Sequence, residues 1–138
     1  MNGITGRMGL NQHLIRSVLA IRDDGGLLLT DGSKLMPDPI LVGRNKQKLE
    51  EIASRFSVDR YTTDLDNALE NTDDSVFFDS ATTKMRVEIL KKAISAGKHI
   101  YCEKPVADDL QGHLKLPNMP ARKELKTVLY TTNFISLV

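Results

Sequence analysis

Apolar residues in this chain fall into short compact blocks separated by stretches in which they recur at helical spacing. Leu10, Leu14, Val18 and Ile21 keep that spacing, so a first helix is expected over residues 10 to 22. From Asp23 to Pro39 the period breaks. Leu27 to Thr30, Asp31-Gly32 and Ser33 to Met36 predict a small hairpin insertion with a two-residue type I′ turn. Pro39-Ile40-Leu41-Val42-Gly43 is compact and apolar, as in a strand buried on both faces. A polar helix follows with Leu49, Ile52, Ala53 and Phe56 inward. A weaker strand is expected at Val58 to Tyr61, a short helix near Asp66 to Glu70, and another buried strand at Ser75 to Asp79. The next helix, Lys84 to Ala96, turns Met85, Ile89, Leu90, Ala93 and Ile94 inward, and Gly97 is placed to end it in the left-handed conformation. His99-Ile100-Tyr101-Cys102 is the last clear strand. This alternation predicts the α/β class, an open parallel sheet with helices on both faces.

Composition narrows the ligand rather than the fold. The 138 residues carry 19 Lys and Arg against 18 Asp and Glu. A net charge of +1 supplies no field for nucleic acid or an anionic membrane, so a small-molecule partner is expected. A single cysteine, Cys102, excludes an internal disulfide, no Cys/His cluster has metal-ligand spacing, and the first residues contain no apolar signal core. These features suit a reducing cytoplasm.

Chemistry enters at the glycines. Gly3-Ile4-Thr5-Gly6-Arg7-Met8-Gly9 opens the first helix, whose unpaired N–H groups and positive dipole end suit a pyrophosphate. The spacing is G-x-x-G-x-x-G rather than G-x-G-x-x-G, and a tight turn packing a helix on a sheet would use the same glycines. At the end of the second strand, Gly43-Arg44-Asn45 has no carboxylate to bind ribose hydroxyls, and a guanidinium suits an added phosphate. NADP is therefore expected over NAD, with Asn45 on the ribose; an ordinary helix N-cap at Asn45 is the structural alternative. Ser80-Ala81-Thr82-Thr83 follows the strand ending at Asp79 and offers hydroxyls and N–H groups, with helix capping again the alternative. His13, His99 and His113 show no partner for triad or metal chemistry.

Glu103-Lys104-Pro105 then follows a helix, Ala96-Gly97-Lys98-His99 and a strand, at the carboxyl edge where open α/β sheets bind ligands. With the glycine-rich start, this resembles the Gfo/Idh/MocA family, named for glucose–fructose oxidoreductase and inositol dehydrogenase. The resemblance implies a Rossmann-like domain that binds NADP or NAD. It also implies a two-domain oxidoreductase that moves a hydride between a nicotinamide ring and a CH–OH carbon of a sugar, an inositol or a related compound. On that basis Lys104 is the catalytic lysine. Gly3, Thr5, Gly6, Arg7, Met8, Gly9, Arg44, Asn45, Thr82 and Thr83 would bind the cofactor, with Glu103 and Pro105 shaping its nicotinamide end. No residue is assigned to a metal.

Two departures from the family pattern qualify that expectation. Met1 stands two residues before Gly3, so the first strand is missing and an open slot inviting self-association is expected in the sheet. The resemblance covers residues 1 to 110; residues 111 to 138 read as an irregular divergent tail broken by Pro117 and Pro120. The family's C-terminal substrate domain is absent, which suggests a truncated frame and a chain inactive by itself. A non-catalytic nucleotide-binding remnant or interaction module is the alternative. A dihydrodipicolinate-reductase-like start at Gly6-Arg7-Met8-Gly9 is a further one, opposed by Tyr101-Cys102-Glu103-Lys104-Pro105.

Overall fold

The computed structural model describes residues 1–105, 127–131 and 134–137. The first helix, α1, winds as a π-helix over Met8–Leu19 and tightens to α-helical winding over Ala20–Asp23. The hairpin strands β1 (Leu27–Leu28) and β2 (Lys34–Leu35) come next, then β3 (Leu41–Val42), α2 (Lys46–Arg55) and β4 (Tyr61–Thr62). After α3 (Leu65–Glu70) and β5 (Val76–Asp79), a 3₁₀ turn over Thr83–Met85 leads into α4 (Arg86–Ser95) and β6 (His99–Glu103). Strands β7 (Thr127–Thr131) and β8 (Phe134–Leu137) complete the described residues. None of their helices is long and apolar enough to cross a membrane.

Residues 1–3 take the place of a first strand. Asn2 bridges Val42 and Asp79, both in parallel sense, and so joins β3 to β5. The Asn2 amide donates to Phe78 O, and Val42 N donates to Met1 O. The sheet order is therefore β4, β3, Asn2, β5, β6, β7, β8, parallel up to β7 with β8 antiparallel at the edge. Up to β7 this is the 3-2-1-4-5-6 order of dinucleotide-binding folds, with the switch point between Asn2 and β5. Below Met1, Ile40, Val76 and Phe77 border a small cavity of about 20 Å³.

Helices cover both faces, as side-chain alternation along the strands requires. Ile4, Leu14, Leu41, Leu49, Ile52, Ala53 and Val58 form one core cluster beneath α1 and α2. Leu69, Phe77, Leu90, Ala93, Ile100 and Cys102 form the other beneath α3 and α4. Asn45 caps α2, accepting Lys48 N–H at 3.0 Å, and Gly97 ends α4 at φ +76°.

Three expectations are corrected. The hairpin turn is not type I′, which needs positive φ at both central residues: Gly32 has φ +84° but Asp31 does not. Leu29 N–H donates to Ser33 O and Gly32 N–H to Leu29 O, making a three-residue loop with left-handed Gly32 as its last member. Asp31 instead accepts Ser33 N–H and Oγ–H. Met85 does not face inward; it precedes α4 in the 3₁₀ turn and is 58% exposed. Finally, the chain is not irregular throughout 111–138, since β7 pairs with β6 from Ile100↔Thr127 to Glu103↔Tyr130. The remainder of that expectation, with His113, Pro117 and Pro120, lies outside the described residues.

Candidate functional site

At the switch point the sheet opens into a cavity of about 410 Å³, within the size range of small-ligand sites. Its wall includes Gly3, Thr5 and Gly6 from the glycine loop, Gly43 and Arg44 beyond β3, and Ser80, Ala81 and Thr82 beyond β5. Met85, Glu88, Ile89 and Lys92 close the side formed by α4 and the turn before it.

Close backbone packing shapes this cavity. Gly3 sits at φ +76°, and a Cβ there would stand 2.5 Å from Ala81 N and 2.7 Å from Ser80 C. A Cβ on Gly9 would stand 2.5 Å from Ser80 Oγ and 2.7 Å from Gly3 O. Glycine at these positions lets α1 and the loop at 80–82 approach to backbone contact. Ser80 reinforces the junction by donating from both N and Oγ to Asn2 O.

Beneath the loops lies a buried polar cluster. Asp79, fully buried, accepts Asn2 Nδ2–H at 2.8 Å and Arg86 Nε–H at 2.7 Å. Arg86, 2% exposed, donates its remaining nitrogens to Ala81 O and Pro105 O. A buried ion pair is tolerable only when its other donors and acceptors are also satisfied, and the rigid guanidinium fork meets that condition here. One side chain thus ties the end of β5 to the loop at Ala81 and to the segment bearing Lys104.

Of the expected cofactor residues, the structure brings Gly3, Thr5, Gly6, Arg44 and Thr82 to the cavity wall. Arg44 is exposed and has no acidic partner among the described residues. Thr82 precedes the 3₁₀ turn without a side-chain capping bond, and Thr83 begins that turn. Gly9 is buried behind the wall, and Arg7 and Met8 border a separate groove along α1 with Asn11, Gln12 and Arg16. Asn45 is engaged as the α2 cap. Glu103, Lys104 and Pro105 stand outside the cavity wall, with Lys104 and Pro105 exposed and joined by a cis peptide. Burial pushes the Cys102 thiol up to about 11, so it stays protonated at neutral pH.

Besides the Asp79 cluster, a second contact carries no direct signal at the sequence positions that make it. His13, 7% exposed, places Nε2 2.5 Å from Glu103 Oε1. The wider i→i+5 winding of α1 makes its inner face recur every four or five residues, which turns Gly9, His13 and Leu14 inward together. Strand parity was the available signal: Glu103 shares a sheet face with Tyr101, and the first helix must cover one face of that sheet.

Comparison with known proteins agrees with this geometry. The family model described as oxidoreductase family, NAD-binding Rossmann fold, matches residues 33–131. D-xylose dehydrogenase of Paenarthrobacter nicotinovorans is 50% identical over 116 residues, covering 84% of this chain and 30% of that enzyme. Among solved structures, levoglucosan dehydrogenase in complex with NADH and levoglucosan superposes with a TM-score of 0.59 at 27% identity, over 75% of this chain and 26% of the enzyme. Scyllo-inositol dehydrogenase of Lactobacillus casei, with NAD(H) and scyllo-inositol, shares the fold at a TM-score of 0.57 and 18% identity, over 80% of this chain and 28% of the enzyme. The chain therefore spans less than a third of the length of each of these relatives. With more than half of its residues matched by the family model, and the switch-point cavity where that fold places it, the chain belongs to the Gfo/Idh/MocA oxidoreductase family and carries its NAD-binding Rossmann fold.

Proposed function

We propose that this chain is the nucleotide-binding domain of a nicotinamide-dependent oxidoreductase acting on a CH–OH group of a sugar, an inositol or a related polyol. The observation that carries this reading is the cavity at the switch point, walled by Gly3, Gly6, Arg44 and Thr82. The residues fit a dinucleotide, because Gly3 leaves no room for a side chain against Ala81 and so brings the glycine loop and the loop at 80–82 together along one wall of the cavity.

In this reading the glycine loop and the start of α1, with Thr5, Arg7 and Met8, hold the pyrophosphate, and Gly9 sets the depth of the helix. Arg44 supplies charge-assisted hydrogen bonds to a ribose phosphate, which favours NADP over NAD. Asn45 meets the ribose through its amide, and Thr82 and Thr83 contribute hydroxyls beside the nicotinamide half. When bound, the dinucleotide supplies a ring that exchanges a hydride with the carbon bearing the hydroxyl. Glu103 and Pro105 border that end, and the Lys104 ammonium holds or exchanges the proton of the substrate oxygen. An aldose such as D-xylose is the first substrate to assay, given the 50% identity to a D-xylose dehydrogenase. The reducing cytoplasm belongs to the same proposal and rests on the single, buried Cys102.

A second reading, nucleotide binding without catalysis, is favoured by the exposed Lys104 lying outside the cavity wall. Thermal unfolding with NADP(H) and NAD(H) tests the cofactor reading, because a ligand of the native state raises its apparent stability. Stabilisation by NADP(H) above NAD(H) supports it, and no stabilisation by either overturns it. Lys104→Ala, in a protein carrying this domain joined to a substrate domain, separates the two readings. Abolished turnover with retained binding supports catalysis by Lys104; unchanged turnover removes Lys104 from the mechanism.

A further inference from the structure

We propose that His13 is a positioning residue for the Glu103-Lys104-Pro105 segment, an inference that rests on the reading of Lys104 as the residue that meets the substrate. His13 Nε2 and Glu103 Oε1 meet at 2.5 Å, and with the carboxylate ionised, a form that can only accept, Nε2–H is the donor of this bond. The two residues are 90 apart in sequence, and their side chains are 9% and 12% exposed. A charge-assisted hydrogen bond in so little water is directional enough to orient its acceptor.

The ring of His13 is itself held. Its centroid lies 4.5 Å from that of Phe78, and Phe78 stacks on Tyr101 at 5.0 Å. This aromatic floor leaves the imidazole few orientations and aims Nε2 along β6 at Glu103. The helix bearing it is registered to the dinucleotide loop by Gly9, which packs directly on Ser80 and Gly3. On the far side of Lys104, the Pro105 carbonyl accepts from Arg86, which also holds Ala81 in the cavity wall. Lys104 thus stands between two residues, each tied to a loop bordering the cavity. The placement of its ammonium depends on His13 from one direction and Arg86 from the other.

His13→Phe keeps an aromatic ring on Phe78 and removes the donor, whereas His13→Gln restores a donor at comparable reach without the ring. The readout is the ¹³C-dimethyl signal of Lys104 in the reductively methylated chain, assigned with Lys104→Arg and followed as NADP⁺ is added. Binding itself is measured separately by calorimetry, and folding by thermal unfolding. In the native chain NADP⁺ should shift the Lys104 signal. His13→Phe should bind NADP⁺ with affinity close to the native chain but lose more than half of that shift, and His13→Gln should recover it. Should His13→Phe fail to fold, His13→Asn, whose amide is too short to reach Glu103 from α1, should show the same loss. Equal shifts in the native chain and His13→Phe would reduce His13 to packing and overturn the inference. NADP⁺ binding with no movement of the native Lys104 signal would overturn the Lys104 reading while leaving the cofactor site intact. Absence of binding would remove both.

Discussion

Replacing Gly3 by alanine tests the packing that shapes the cavity, because two separate penalties meet at this residue. Its φ of +76° lies in the left-handed region, where a Cβ adds roughly 1–2 kcal/mol of strain. The same Cβ would stand 2.5 Å from Ala81 N and 2.7 Å from Ala81 Cα. Those are backbone atoms that no rotamer change can move aside, and overpacking of this kind adds about 1–3 kcal/mol. Gly3→Ala should therefore destabilise by about 2–5 kcal/mol, a large share of a typical stability of about 5–15 kcal/mol. Gly32 supplies the control for strain alone, with φ +84° and no atom within 4 Å of an added Cβ. Gly32→Ala should lose only the first part, about 1–2 kcal/mol. Gly6 has no positive φ, and its added Cβ would meet only Gly3 O at 3.3 Å. Gly6→Ala should thus be milder than Gly3→Ala in stability while still intruding on the cavity. Guanidinium unfolding of the three variants gives the order directly. A Gly3→Ala variant no less stable than Gly32→Ala would refute the close approach of residue 3 to the loop at 80–81.

Asp79→Asn should destabilise by about 3–5 kcal/mol in the same assay, because Arg86 would be left buried without its counter-charge. A loss within error of zero would mean that the cluster is not closed to water. Burial lowers the Met1 α-amine from 8.0 to about 5 in the folded chain, where it donates to Ile40 O. The unfolded chain then takes up a proton between pH 8 and pH 5 that the folded chain refuses, so stability is full above pH 8, falls through that window and levels below it. At about 1.4 kcal/mol per unit the loss approaches 4 kcal/mol, and N-terminal acetylation should abolish this component of the pH dependence. Arg44→Ala should weaken NADPH by about 10-fold or more and leave NADH little changed, as expected for losing a hydrogen bond to a charged group of about 1.5–3 kcal/mol. Equal losses for both cofactors in a calorimetric titration would remove Arg44 as selector.

Much of the scaffold was legible because its signals are local. The cap at Asn45, the stop at Gly97 and the compact blocks around Leu41, Phe77 and Ile100 each lie within a few residues of the element they define. What escaped depends on distant partners or on winding. Asp79 reads as the polar end of a strand until Asn2 and Arg86 close around it from 77 residues before and 7 residues after. His13 sits off the apolar stripe of an ordinary α-helix and turns inward with the wider winding of α1. The Asp31-Gly32 pair carries a hairpin signal, yet only Gly32 takes positive φ, which lengthens the loop to three residues. The place of residues 1–3 could not be read from three residues without a pattern; it follows from their bonds to Val42 and Phe78.

Whether the switch-point cavity holds a nicotinamide dinucleotide is decided by a ¹⁵N–¹H NMR titration of the chain with NADPH. With the dinucleotide in this cavity, shifts should be concentrated at Gly3, Gly6, Gly43, Arg44, Ala81 and Thr82, which wall it from three loops. Unchanged resonances at saturating NADPH, or shifts confined to Asn11, Gln12 and Arg16 in the groove along α1, would contradict that placement.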